Sequence, residues 1–178
     1  MDTYKENSMK KLKEEHFYKN EEFYSIIEDI LNNDKFNELK LVRHHGITRF
    51  NHSLRVSYYT YLTTKKLNLN YVEATRAALL HDFFTDELKG EKMKVALRRH
   101  PFIALENSKK YFEISDLQAD IIVKHMFPVT KELPKYKESF IVDIIDDISS
   151  VYERTYSINT EFQAALNFIL IAILLRIR

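Results

Sequence analysis

Residues 74–84 read Ala-Thr-Arg-Ala-Ala-Leu-Leu-His-Asp-Phe-Phe, with His81 and Asp82 at the end of the run. Alanine and leucine are strong helix formers, so the segment predicts a helix. Just upstream, Asn70 and Glu73 have the spacing of a capping box, which places the helix start near residue 71. The helix is expected to run through TRAALLHDFF. An aspartate directly after AALLH and directly before two phenylalanines is in a poor place for an unpaired charge. A buried carboxylate needs a partner or a metal.

The same reading extends outward to either side. Residues 21–32 place Phe23, Ile26, Ile27 and Ile30 at helical spacing, with acids in the first turn where the helix dipole favours them. Asp34 is expected to cap a short helix through Leu41, and residues 41–51 read as a loop around Gly46. A helix is expected from about His52 to Leu67, with Leu54, Tyr58, Tyr61 and Leu62 on its apolar stripe. Residues 91–99 read as a short basic helix and Pro101 as the start of the next. Ser115 and Gln118 form a capping box for a helix that Pro128 closes. Pro134 is expected to open the following helix, and Thr160 to cap the last. The result is about eight helices and no strand.

Composition agrees with an all-α chain. Its 178 residues include 2 Gly, 3 Pro and no Cys, where average usage would give about 12 Gly and about 9 Pro. Many-stranded sandwiches need more turns than this, and neither GxGxxG nor GxxxxGK[ST] can be written with Gly46 and Gly90 alone. Without cysteine there are no disulfides, thiolate metal sites or cysteine nucleophiles. Chemistry must come from His, carboxylates, Lys, Arg and hydroxyls. The 27 basic residues nearly balance 26 acidic ones, which argues against an extended nucleic-acid surface. The charged N-terminus lacks the apolar core of a signal peptide, so a cytoplasmic address is expected.

Four of the seven histidines stand at expected helix ends beside apolar runs: His52, His81, His100 and His125. Further on, Asp143 and Asp146 lie three residues apart on one helix face. Imidazole and carboxylate suit iron, manganese, cobalt or zinc. Asp82 has two oxygens and can bridge two metals where His81 binds one. Gathered in one cleft, four His and two Asp would make a two-metal centre able to clamp a phosphoryl group.

The stretches HHGITRFNHSLRV (44–56), ATRAALLHDFF (74–84), RRHPFIALENSKKYF (98–112), DIIVKHMFP (120–128) and ESFIVDIIDDIS (138–149) together carry a resemblance. In their order H…HD…H…H…D the chain resembles the HD-domain superfamily of metal-dependent phosphohydrolases. The resemblance covers about residues 44–156. It implies a single all-α multi-helix bundle, with residues 1–43 as a helical extension packed on it and 157–178 as a C-terminal apolar helix. It implies that His52, His81, Asp82 and a late aspartate hold one divalent transition metal, Asp82 bridging to a second held by His100 and His125. Iron, manganese or cobalt is expected, with zinc or nickel also compatible. The family pattern selects Asp146 as the late ligand over Asp143. Asp147 stands where the family often has Lys, and no lysine follows His81-Asp82 closely.

The activity implied is hydrolysis of a phosphomonoester, phosphodiester or pyrophosphate, a nucleotide being the expected substrate, by a metal-activated hydroxide with Asp82 at its centre. Arg49, His45, Lys124 and Arg55 are the candidate substrate contacts, with Arg98 and Arg99 behind them. Two other readings keep the same residues: an HD-type di-iron oxygenase, and a non-catalytic module that senses a nucleotide. The run ALNFILIAILL (165–175) is too short to span a bilayer, which takes about 20 apolar residues. Its expected role is burial, with a homodimer contact or peripheral membrane contact as alternatives.

Overall fold

A computed structural model describes residues 17, 19–44, 47–155 and 169 of the chain. His45, one of the candidate substrate contacts, lies outside the described residues. So does the apolar run 165–175, except for Ile169. Helix starts are written locally. Asn20 Oδ1 accepts from Phe23 N–H to open α1 (Glu21–Leu31), and Asn33 Oδ1 accepts from Phe36 N–H to open α2 (Asp34–Asn37). The cap of this short helix is therefore Asn33, one residue before the expected Asp34. Its last turn tightens into a 3₁₀ segment, Glu38–Leu41.

The expected loop that follows contains a minimal antiparallel ladder, β1 (Arg43–His44) against β2 (Ile47–Thr48), with Arg43 opposite Thr48. Two-residue strands leave no period-2 pattern to read, so propensity could not reveal them. Thr48 then caps α3 (Arg49–Lys66), accepting from Asn51 N–H, and starts it three residues before the expected position. Asn70 caps α4 (Tyr71–Leu80). The helix ends at Leu80 with His81 as its C-cap, short of the expected Phe84.

One continuous helix, α5 (Met93–Tyr111), replaces the two expected around Pro101. Proline here removes one interior hydrogen bond. The helix persists because residues 100–108 carry the packing side chains His100, Pro101, Ala104, Asn107 and Ser108. Ser115 and Gln118 do form a reciprocal capping box, opening α6 (Asp116–Lys124). α7 (Lys137–Thr155) starts three residues after Pro134. Among the described residues, seven α-helices and one tiny two-stranded ladder make the fold all-α.

α4 is the middle of the bundle. Its Ala74, Ala77, Ala78, Leu79 and Leu80 are all essentially inaccessible to solvent. Small side chains let α3 approach closely, and Ser57 of α3 donates to the carbonyl of Thr75 at 2.8 Å. α3 buries Ser53, Ser57, Thr60 and Thr64 as well as Leu54, Val56 and Tyr61, which is why its apolar stripe is faint in the sequence. α6 and α7 complete the walls with Ile121, Ile122, Val142 and Ile145. Phe23, Ile27 and Ile30 of α1, with Phe36 and Leu39, belong to the same core. Each such side chain contributes about 1.5–3 kcal/mol on full burial. Among the described residues no helix is long and apolar enough to cross a membrane.

Candidate metal centre

Five helices or their ends converge on one buried cluster. His52 comes from the first turn of α3, His81 from the C-cap of α4 and Asp82 from the residue after it. His100 comes from α5, His125 from the C-cap of α6, and Asp146 from the middle of α7. All six are buried.

The last carbonyls of a helix have no intrahelical donor. His81 and His125 use this: each donates Nδ1–H to the carbonyl three residues back, Ala78 and Ile122, at 2.7 Å in both cases. His100 Nδ1 donates to the carbonyl of Ala96 at 3.2 Å. A carbonyl can only accept, so in neutral His81, His100 and His125 the proton is on Nδ1 and the Nε2 lone pair faces inward.

The inward atoms lie very close together. His52 Nε2 is 2.8 Å from Asp146 Oδ1, and His81 Nε2 is 3.6 Å from the same oxygen. His100 Nε2 is 2.9 Å from His125 Nε2, and these two are 3.4 and 3.9 Å from Asp82 Oδ1. The contact of His52 with Asp146 is short but off the hydrogen-bonding direction. His52 Nε2, His81 Nε2 and Asp146 Oδ1 are buried without a hydrogen-bond partner. Ligand atoms at about 2.1 Å from one cation, roughly at right angles, stand about 3 Å apart. Three groups of donors have suitable spacing: His52, His81 and Asp146; His81, Asp82 and His125; and His44, His52 and Asp82. The residues fit a divalent cation, and Asp82 is common to two of the groups.

Electrostatics divide the cluster. Burial opposes charge on His52, but the carboxylates of Asp146 and Glu153 outweigh it and push the imidazole up to about 10. His81 is also raised against burial, by Asp146 and Asp82. Burial lowers His100, and lowers His125 to about 3 with the help of the charge on His81 and His100. Burial works against the charge of Asp82 and Asp146 too, yet both are held below the usual carboxylate range. His81, His100 and Arg49 do this for Asp82, and His52 and His81 for Asp146. Asp143 goes the other way, up to about 7, through burial first and then the charges of Asp147 and Asp146.

The family comparison agrees with this geometry. A model of the HD domain matches residues 49–150. The chain belongs to the HD domain family. Members of the family generally are metal-dependent hydrolases, and HD domains bind divalent metals. None of the curated proteins or solved structures compared matches the chain.

The three candidate substrate contacts among the described residues, Arg49, Arg55 and Lys124, have different places in this HD domain. Arg49 borders the cluster: its Nε is 3.6 Å from Asp82 Oδ2, its Nη1 donates to the carbonyl of Phe84 at 2.7 Å, and its guanidinium lies 3.6 Å over the Phe84 ring. Arg55 instead donates to Glu153 at 2.8 Å and stacks on Tyr152. Lys124 pairs with Glu132 and lines a cavity of about 350 Å³ with Asp120, Lys135 and Tyr136. That cavity shares no residue with the histidine cluster. Arg98 and Arg99 are exposed on α5, Arg99 paired with Glu91 at 2.6 Å.

Two residues at the cluster are missing from the sequence reading. His44 on β1 has its ring 4.6 Å from that of His52 and belongs to one of the three donor groups. The signal was the doublet His44-His45. The doublet alone does not say that His44 turns inward. Glu153 has a fully buried side chain against His52. Its signal was its spacing from Asp146, seven residues and two turns along the same face of α7.

Proposed function

We propose that this HD domain is a metal-dependent phosphohydrolase acting on a phosphomonoester, phosphodiester or pyrophosphate, with a nucleotide as the expected substrate. One observation carries the reading. His100 and His125 both have Nδ1 committed to backbone carbonyls, and their Nε2 atoms are 2.9 Å apart. Two lone pairs at that distance repel unless a proton or a cation lies between them. Burial lowers the proton affinity of both rings, which favours the cation.

His52, His81 and Asp146 would hold one cation, His100 and His125 a second, with Asp82 shared. Divalent cations held there supply Lewis-acid neutralisation of phosphoryl charge and an acidified water for attack on phosphorus. The chain's own residues do the rest. Asp82 turns Oδ1 toward His100 and His125 and Oδ2 toward Arg49, and His81, His100 and Arg49 together hold its carboxylate in the ionised form. Arg49 Nε, buried without a hydrogen-bond partner, can donate to a phosphoryl oxygen held at this site. His44, half-buried beside His52, can donate to the same group.

The test joins metal analysis to a phosphoester panel on wild type and Asp82→Ala. Phosphate release that needs Mn²⁺, Co²⁺ or Fe²⁺ and is lost in Asp82→Ala supports the reading. Undiminished activity in Asp82→Ala overturns the site. Iron-dependent oxygen uptake with no phosphate released overturns the reaction.

A further inference from the structure

His52 differs from the other three cluster histidines in how its outer nitrogen is held. It sits in the first turn of α3, where the preceding carbonyls already accept from helical N–H groups. Its Nδ1 therefore reaches another helix and meets Glu153 Oε2 at 2.9 Å. The other oxygen of Glu153, Oε1, accepts from Arg55 Nη1 at 2.8 Å. The Glu153 side chain is fully buried and the Arg55 side chain mostly so. An ionised carboxylate only accepts, so Nδ1 of His52 is the donor. In the neutral ring that leaves Nε2 unprotonated, 2.8 Å from Asp146 Oδ1.

One helix thus grips His52 from both sides. Asp146 and Glu153 are two turns apart on α7, one at each ring nitrogen. A buried carboxylate is costly unless paired, and Arg55 provides the pairing. A backbone carbonyl would have sufficed to fix the ring, as it does for His81 and His125. A carboxylate adds negative charge to the imidazole and makes Nε2 a stronger donor.

We propose that Glu153 is a positioning residue of the cation site. Its carboxylate fixes the ring of His52 and strengthens Nε2 as a ligand, while Arg55 holds that carboxylate in place. This rests on the cation-site reading above.

The test is a titration of the full chain, stripped with chelator, with Mn²⁺ alone. Wild type, Glu153→Gln and Glu153→Ala are compared at one pH, with circular dichroism to check folding. Glutamine keeps an acceptor and loses the charge; alanine loses both. Affinity is expected to fall in that order, by roughly tenfold or less for Glu153→Gln and about 10–100-fold for Glu153→Ala. A purely structural role would lower the melting temperature of the stripped protein and leave Mn²⁺ affinity unchanged. Wild-type affinity in the folded variants overturns the proposal. If only Glu153→Gln folds, its affinity alone decides. Absence of Mn²⁺ binding by wild type would instead sink the underlying cation-site reading.

Discussion

His81 and His125 occupy equivalent places in two different helices. Each is the C-cap of its helix, and each donates Nδ1–H to the carbonyl three residues earlier at 2.7 Å. Their rings meet edge to face with centroids 4.8 Å apart. The same local device, repeated at the ends of α4 and α6, aims two Nε2 atoms into one cleft. It uses helix-end carbonyls that need a donor anyway.

The pH dependence of the metal-free protein follows from the divided cluster. His52 is raised to about 10 in the folded state, against about 6.5 unfolded. Its contribution is fully present below pH about 6.5 and lost as pH rises toward 10. Asp82 and Asp146 are lowered, so theirs is present above about pH 4 and lost on acidification. His100 and His125 are lowered, so their penalty grows as pH falls below about 6.5. Chelated protein should therefore be most stable at about pH 6–6.5, and its melting temperature should fall through about pH 7–9. A rising melting temperature over that range would contradict the assignment.

Divalent cation should reverse this trend. Metal competes with protons on His52 and His81, so binding strengthens as pH rises and releases protons. At 100 times Kd, one bound Mn²⁺ adds about 2.7 kcal/mol. Calorimetry in two buffers of different ionisation enthalpy measures the proton release directly. Binding with no proton release at pH 6.5 would show that the two histidines are not ligands.

Asp143 is expected to destabilise the metal-free fold at neutral pH. Its carboxyl is raised to about 7 by burial and by Asp147 and Asp146. A raised acid makes stability fall as pH climbs from about 4 to 7. Asp143→Asn removes that penalty, with a gain of about 1–2 kcal/mol at pH 8 after allowance for solvent screening, and little change at pH 4. Thermal melts at the two pH values check it; an equal shift at both would point to packing rather than charge.

His44 tests the site from the side of the β ladder. His44→Ala should leave the fold intact, because the side chain is only half-buried. It should lower kcat/KM for phosphoester hydrolysis by about 100-fold or more. Unchanged kinetics in a folded variant would remove His44 from the chemistry.

The capping box of α6 links local stability to the site. Ser115→Ala removes the acceptor for Gln118 N–H, at about 1 kcal/mol. Since α6 ends on His125, metal affinity should weaken along with the melting temperature. Urea unfolding and Mn²⁺ titration of the same variant measure both.

Local chemistry made much of this protein readable in advance. The caps at Asn70 and Ser115, the alanine-rich run of α4 and the apolar face of α1 act within one turn of helix, so they are legible in sequence. His81 and His125 are legible for a related reason: helix ends are where a histidine can satisfy a carbonyl and still face a cleft. Other features depend on partners far along the chain. Pro101 reads locally as a helix start, but packing around His100 and Ala104 carries α5 straight through it. Arg55 reads as a phosphate contact, but α7 brings Glu153 to it across 98 residues. That His44 reaches the cluster depends on a two-residue ladder too short to leave a pattern. By itself the sequence determined an all-α chain whose chemistry rests on imidazole and carboxylate groups. Only the tertiary structure decided which donor atoms share one buried space, because the distances between lone pairs depend on how helices pack rather than on how each one forms.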